Sequence, residues 1–286
     1  MNVMYGDKPR MVDWEQSRPA CLRRLPSLAS FLAAAVLSIC LVAAPLARAA
    51  PLDEGIEQYR SHLIADVDRT LASAQTLRAS AAAGDVSAAK QAWLDARTGW
   101  ERSEVFTGGF VPGLDRAIDA WPNGAAGFHA IEAKLFGASR TDFADEANEL
   151  VHNLSELSAK ARSTPLTPQK LLDGVVRLAY EVGESKVDGG ESRLSGTSID
   201  DIRNNVDGID LAYRTIFASA IETRDGQLAA EVQRMINVLK TMLEVRDLGR
   251  LDPDRLRAVS EELVVTLQDA ALRIGLAGPA LEGGVQ

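Results

Sequence analysis

Between Leu52 and Ala83 the chain has no proline, and its apolar residues fall at Ile56, Tyr59, Leu63, Val67, Leu71, Ala74 and Leu77. That three-to-four spacing gathers them on one stripe of an α-helix, whereas a strand would scatter them over both faces. A helix of this kind is stable only when the stripe is covered, so the segment demands helical partners. The same periodicity returns at about 86–106, 168–184, 198–222, 225–247 and 253–273, and no run alternates apolar and polar residues over six positions beside turn chemistry. The expected fold class is all-α.

The breaks between these segments set the expected organisation. Gly84-Asp85 ends the first helix, and the stretch 107–127 holds five glycines with Pro112 and Pro122, which predicts a loop with at most short helical turns. A short helix is expected from Phe128 to Phe136, and Thr141 can cap another that runs to about Ala161. Ser163-Thr164-Pro165-Leu166-Thr167-Pro168 reads as a linker, and Gly189, Gly190 and Gly196 mark an irregular region further on. The resulting expectation is two four-helix bundles in tandem, residues 50–164 and 165–286.

The first fifty residues follow different rules. Arg18, Arg23 and Arg24 precede an apolar run from Leu28 to Leu46, and Ala47-Arg48-Ala49 follows. A basic stretch, an apolar stretch and an AxA site describe a secretory signal peptide over residues 1–49, cut before Ala50, with Met11 as an alternative start. Cleavage is expected over a retained membrane anchor, and over lipidation at Cys40, because Ile39 stands where a lipidation signal requires a small residue. Cys21 and Cys40 both lie in the leader, so the mature chain has no cysteine and can form neither a disulfide nor a thiolate metal site. It keeps 25 of the 31 basic and 37 of the 40 acidic residues, a net −12. Such a surface disfavours nucleic acid and anionic membranes and attracts cations.

Chemistry concentrates at Gly127-Phe128-His129-Ala130-Ile131-Glu132, within GFHAIEAKLFG, which holds one of three histidines. On a helix His129 and Glu132, three apart, share a face and can present two metal ligands to one point. Further ligands must come from elsewhere, and two acidic pairs lie upstream: Glu101 and Glu104 on the preceding helix, Asp115 and Asp119 in the loop. One imidazole with several carboxylates suits iron, manganese or zinc better than copper(I). The motif is not the HExxH of zinc proteases, because no second histidine follows. His62 and His152 read as surface or packing residues, and a nucleophilic serine would have only His129 as its base. No enzymatic activity is expected.

The polar stretch from Glu181 to Ser195 reads equally as an exposed interhelical loop and as the lining of a cleft. Asn204, Asn205 and Asp207 follow it, and their spacing demands no ligand.

At these residues the chain resembles the imelysin-like HxxE domain of the EfeM and EfeO iron-uptake proteins. The segments that carry the resemblance are WERSE at 100–104, LDRAID at 114–119, GFHAIEAKLFG at 127–137, SKVDGGESRLS at 185–195 and NNVDG at 204–208. The resemblance implies two four-helix bundles and a metal site at His129 and Glu132, with Glu101 and Asp115 as acidic partners and Glu104 and Asp119 as alternates. It implies a periplasmic protein that carries Fe2+ or Fe3+ as cargo, Zn2+ or Mn2+ being possible, to a membrane iron permease, with a haem peroxidase-like partner. The chain looks like the short form, with no cupredoxin domain, and has Gly196 and Ser198 where related members carry a histidine and an aspartate. The alternatives are binding of an acidic, alginate-like polysaccharide, for which Arg193, Arg203, Trp93 and Trp121 are candidates, and metallopeptidase activity.

Overall fold

The structure, a computed structural model, describes residues 28–119, 126–187 and 192–279, with side chains from Leu52 onward. The expected leader, its two cysteines and its cleavage site fall outside the residues whose side chains are described, and Trp121 is not among the described residues. Contacts divide the chain into Met1–Ala47 and Arg48–Gln286, and the features that follow belong to the second unit.

The described residues form helices and no strand: α1 (Leu28–Ala82), α2 (Val86–Phe110), α3 (Pro112–Ile118), α4 (Gly127–Glu132), α5 (Ala144–Ser163), α6 (Pro168–Glu184), α7 (Ser198–Ala212), α8 (Ala218–Glu222), α9 (Gly226–Met242) and α10 (Pro253–Arg273). The expected all-α class holds. Wide π turns follow α4 at Ala133–Gly137 and α7 at Tyr213–Phe217. Among the described residues, no helix is long and apolar enough to cross a membrane.

Local chemistry explains several boundaries. Asp85 accepts from Ala88 N at 2.9 Å to cap α2, Thr167 accepts from Lys170 N ahead of Pro168 to start α6, and Asp252 accepts from Arg255 N ahead of Pro253 to start α10. Each of these caps is worth about 1 kcal/mol. Three expected boundaries are corrected. The α2 helix runs through Gly108 and Gly109 to Phe110, because Arg177 of α6 packs on that turn and donates to Glu104 O at 2.6 Å. Thr141 does not cap α5, which begins beside the buried Phe143 with Asp145 and Glu146 in its first turn, where carboxylates favour the helix dipole. The α9 helix ends at Met242, ahead of a 3-10 turn at Leu248–Arg250.

The apolar stripe read from α1 is buried: Ile56, Tyr59, Leu63, Val67, Ala74 and Leu77 all lie in the core. The α2 helix contributes Trp93, Trp100 and Phe106, packs against α7 and α6, and so links the first half of the chain to the second. The α10 helix in turn covers α6 and α9. Helices on both sides of residue 165 share one apolar core.

Candidate metal centre

The α2 helix organises the site because one of its faces mixes large apolar groups with charges. Trp93, Arg97, Trp100, Glu101 and Glu104 follow at helical spacing, and all are buried. Trp93 fixes the neighbouring α4: its Nε1 donates to Phe128 O at 3.1 Å, and its ring meets Phe128 edge-on at 6.1 Å and Phe136 at 5.1 Å. The start of α4 also needs glycine. Gly127 has φ of 65°, and a Cβ there would collide with the Ile118 carbonyl, so the backbone leading to His129 lies directly on the end of α3. Asp119, one residue beyond Ile118, is thereby brought against His129.

His129 lies between two carboxylates. Its Nε2 is 3.4 Å from Asp119 Oδ1 and its Nδ1 is 3.3 Å from Glu132 Oε2. Burial disfavours charge on the imidazole, but the bonds to Asp119 and Glu132 outweigh it and raise the pKa to about 9. Burial likewise opposes charge on Asp119, yet Arg97 and His129 hold its carboxyl well below the usual range. Glu132 is lowered in the same way, against its own burial, by His129 and by two bonds from Ser195, whose backbone N and Oγ both reach Oε1 at 2.8 Å. The surroundings of the ring favour positive charge at both of its nitrogens.

A second group of charges adjoins the first. The Arg97 guanidinium is shared among Glu101, Asp119 and Asp201, the last at 3.0 Å, and lies over the Trp93 and Phe128 rings at 5.6 and 5.3 Å. On its far side Glu101 turns Oε2 toward Lys186 Nζ at 3.2 Å, and Glu104 Oε2 meets the same ammonium at 2.9 Å. Burial and the neighbouring Glu101 push the Glu104 carboxyl well up, against the pull of Lys186. Asn205 of α7 completes the group, its Nδ2 donating to Glu101 Oε2 at 2.9 Å and to Glu104 Oε2 at 2.5 Å. Five carboxylates, Glu101, Glu104, Asp119, Glu132 and Asp201, thus surround Arg97, Lys186 and His129.

Of the residues expected from sequence, His129 and Glu132 come together as their spacing requires. Glu101 joins them through Arg97 and Asp119. Asp115 does not reach His129; it accepts from Thr107 Oγ1, and burial raises its pKa. Asp119, the alternate of that pair, is the one beside the imidazole. His62 and His152 are exposed, Trp93 is fully buried, and Arg203 is bonded to Asp200 and to Leu243 O. Sequence reasoning missed Arg97, Lys186, Asp201 and Asn205. A signal for Arg97 was present: it occupies the same helical stripe as Trp93 and Trp100, where an unpaired charge could not be buried. Asp201 gave none, and Asn205 gave only its place in NNVDG, because their partners lie on α2, 104 residues away for both Arg97–Asp201 and Glu101–Asn205.

Among the described residues, no three His, Cys, Asp or Glu side chains are set as a ready metal cage. The chain's own cations lie between the carboxylates. A cleft of about 340 Å³ between α2 and α7 has Asp95, Arg97, Asp200 and Asp201 among its lining residues. A separate cleft of about 450 Å³, lined by His62, Arg102, Asp210, Arg214 and Lys240, contains none of these groups.

A family model described as Imelysin matches residues 55–126 and 123–272. The chain is 28% identical over 241 residues to an "Efem/EfeO family lipoprotein" of Staphylococcus haemolyticus, covering 79% of this chain and 82% of the relative. It is 26% identical over 215 residues to the "Iron uptake system component EfeM" of Pseudomonas syringae pv. syringae, covering 70% and 75%. An "Efem/EfeO family lipoprotein" of Staphylococcus aureus is 31% identical over 175 residues, covering 56% and 60%.

Proposed function

This chain belongs to the imelysin family, alongside proteins of the EfeM/EfeO group, and on that footing we propose that it serves iron uptake by binding ferrous or ferric iron as cargo and passing it to a membrane permease. The observation that carries the reading is His129 held between Asp119 and Glu132 at 3.4 and 3.3 Å, at the edge of a buried carboxylate group. An imidazole with hard oxygen donors is a ligand set suited to iron. The proposed ligands are His129 and Glu132 with Glu101; from the loop pair, Asp119 is favoured over Asp115 because it already faces the ring. Zn2+ and Mn2+ are competing occupants of the same set.

The location proposed is the periplasm, reached through the leader read from residues 1–49. The naming of two relatives as lipoproteins supports an extracytoplasmic site of action. A permease and a haem peroxidase-like protein are the proposed partners. The test is anaerobic calorimetry of Fe2+ binding to the mature chain and to a variant with His129→Ala and Glu132→Ala. Losing two ligands is expected to weaken binding by more than the roughly 10–100-fold that loss of an outer hydrogen-bond partner causes. Equal affinity in the two proteins would remove the site.

A further inference from the structure

Arg97 and Lys186 both neutralise the carboxylates, but they are held differently. Arg97 spreads a planar fork over three acids and lies over two aromatic rings. Nothing in that arrangement can leave without disrupting four elements. Lys186 is a point charge on a flexible four-carbon stem, two residues beyond the end of α6, and it donates to Glu101 and Glu104. Asn205 shows that this position has unused capacity. Its Nδ2 faces both glutamates, while its fully buried Oδ1 accepts no hydrogen bond. A buried acceptor of this kind is ordinarily satisfied.

We propose that Lys186 is a placeholder cation: Glu101, Glu104 and Asn205 form a cargo position that the Lys186 ammonium fills until a metal ion displaces it. The inference rests on the cation-binding reading of this site. The two carboxylates only accept hydrogen bonds, so the amide turns its donor Nδ2 toward them and in this state contributes no ligand oxygen. A divalent ion needs acceptors, and a half-turn of the Asn205 amide exchanges Nδ2 for Oδ1, supplying a third oxygen beside the two carboxylates. The exchange also accounts for the mixed charges. When the metal leaves, Lys186 returns, and two buried carboxylates are never left without a counter-ion. Internal competition of this kind lowers affinity and suits a protein that must give up its cargo.

The test uses the mature chain and Fe2+ under anaerobic conditions. Lys186→Met, and Lys186→Gln as a second variant that keeps a donor without the charge, are each expected to bind Fe2+ about tenfold more tightly than wild type. Without iron they should melt at lower temperature than wild type, and iron should restore the difference. In the wild type, an amine-reactive reagent read by mass spectrometry should label Lys186 slowly without Fe2+ and quickly with it. Wild type that binds Fe2+ while both variants bind no better, or Lys186 that stays unlabelled in the bound state, overturns the placeholder and leaves the metal site standing. If neither wild type nor variants bind Fe2+, the metal reading itself falls, and the placeholder with it.

Discussion

Arg97 is the residue on which the buried charges depend. It is 2% exposed and bonded to Glu101, Asp119 and Asp201, so its removal would leave three carboxylates short of a counter-ion in a medium that solvates them poorly. Arg97→Met, which keeps much of the volume and the ring contacts, is therefore expected to cost about 3–5 kcal/mol. Urea denaturation of the variant against wild type measures it, and a loss under about 1 kcal/mol would show that neighbouring groups take up the charge. At this scale the sequence was informative for residues whose partner is one turn away. His129 and Glu132 could be paired from their spacing alone, whereas Arg97 required recognising a charge on the stripe shared by two buried tryptophans.

The elements that decide the site are α2 and α7. Arg97, Glu101 and Glu104 ride on the first, Asp201 and Asn205 on the second, so the spacing of two helices sets every distance between them. That spacing is held close by Gly208, where a Cβ would stand 2.6 Å from the Arg102 carbonyl oxygen of α2. Gly208→Ala must push the helices apart, and the expected loss is about 1–3 kcal/mol of stability. Because Asn205 moves with α7, Fe2+ affinity should fall in the same variant. Thermal melting and calorimetry check the two effects; a variant of wild-type stability would mean that the crossing is looser than its geometry requires. The helices themselves were legible as elements, since periodicity and caps are local. Their ends were less so: α2 continues through two glycines because α6 packs on them, and α5 starts without the threonine that seemed to cap it.

For the whole molecule, one core joins helices from both sides of residue 165, with α2 of the first half packed against α6 and α7 of the second. The two proposed bundles are therefore expected to unfold together, in a single calorimetric transition; two separated transitions would show that each half is stable alone. The sequence by itself determined the helical class, the absence of cysteine and the acidic excess beyond residue 49, and the identity of the HxxE pair, because each depends on composition or on residues within one turn of each other. Only the tertiary structure decided that Asp119 rather than Asp115 faces the imidazole, and that Arg97 and Lys186 lie among the carboxylates. Those outcomes depend on where α2, α3, α6 and α7 meet, and the partners that meet there are separated by up to 104 residues, a distance over which helical periodicity carries no information.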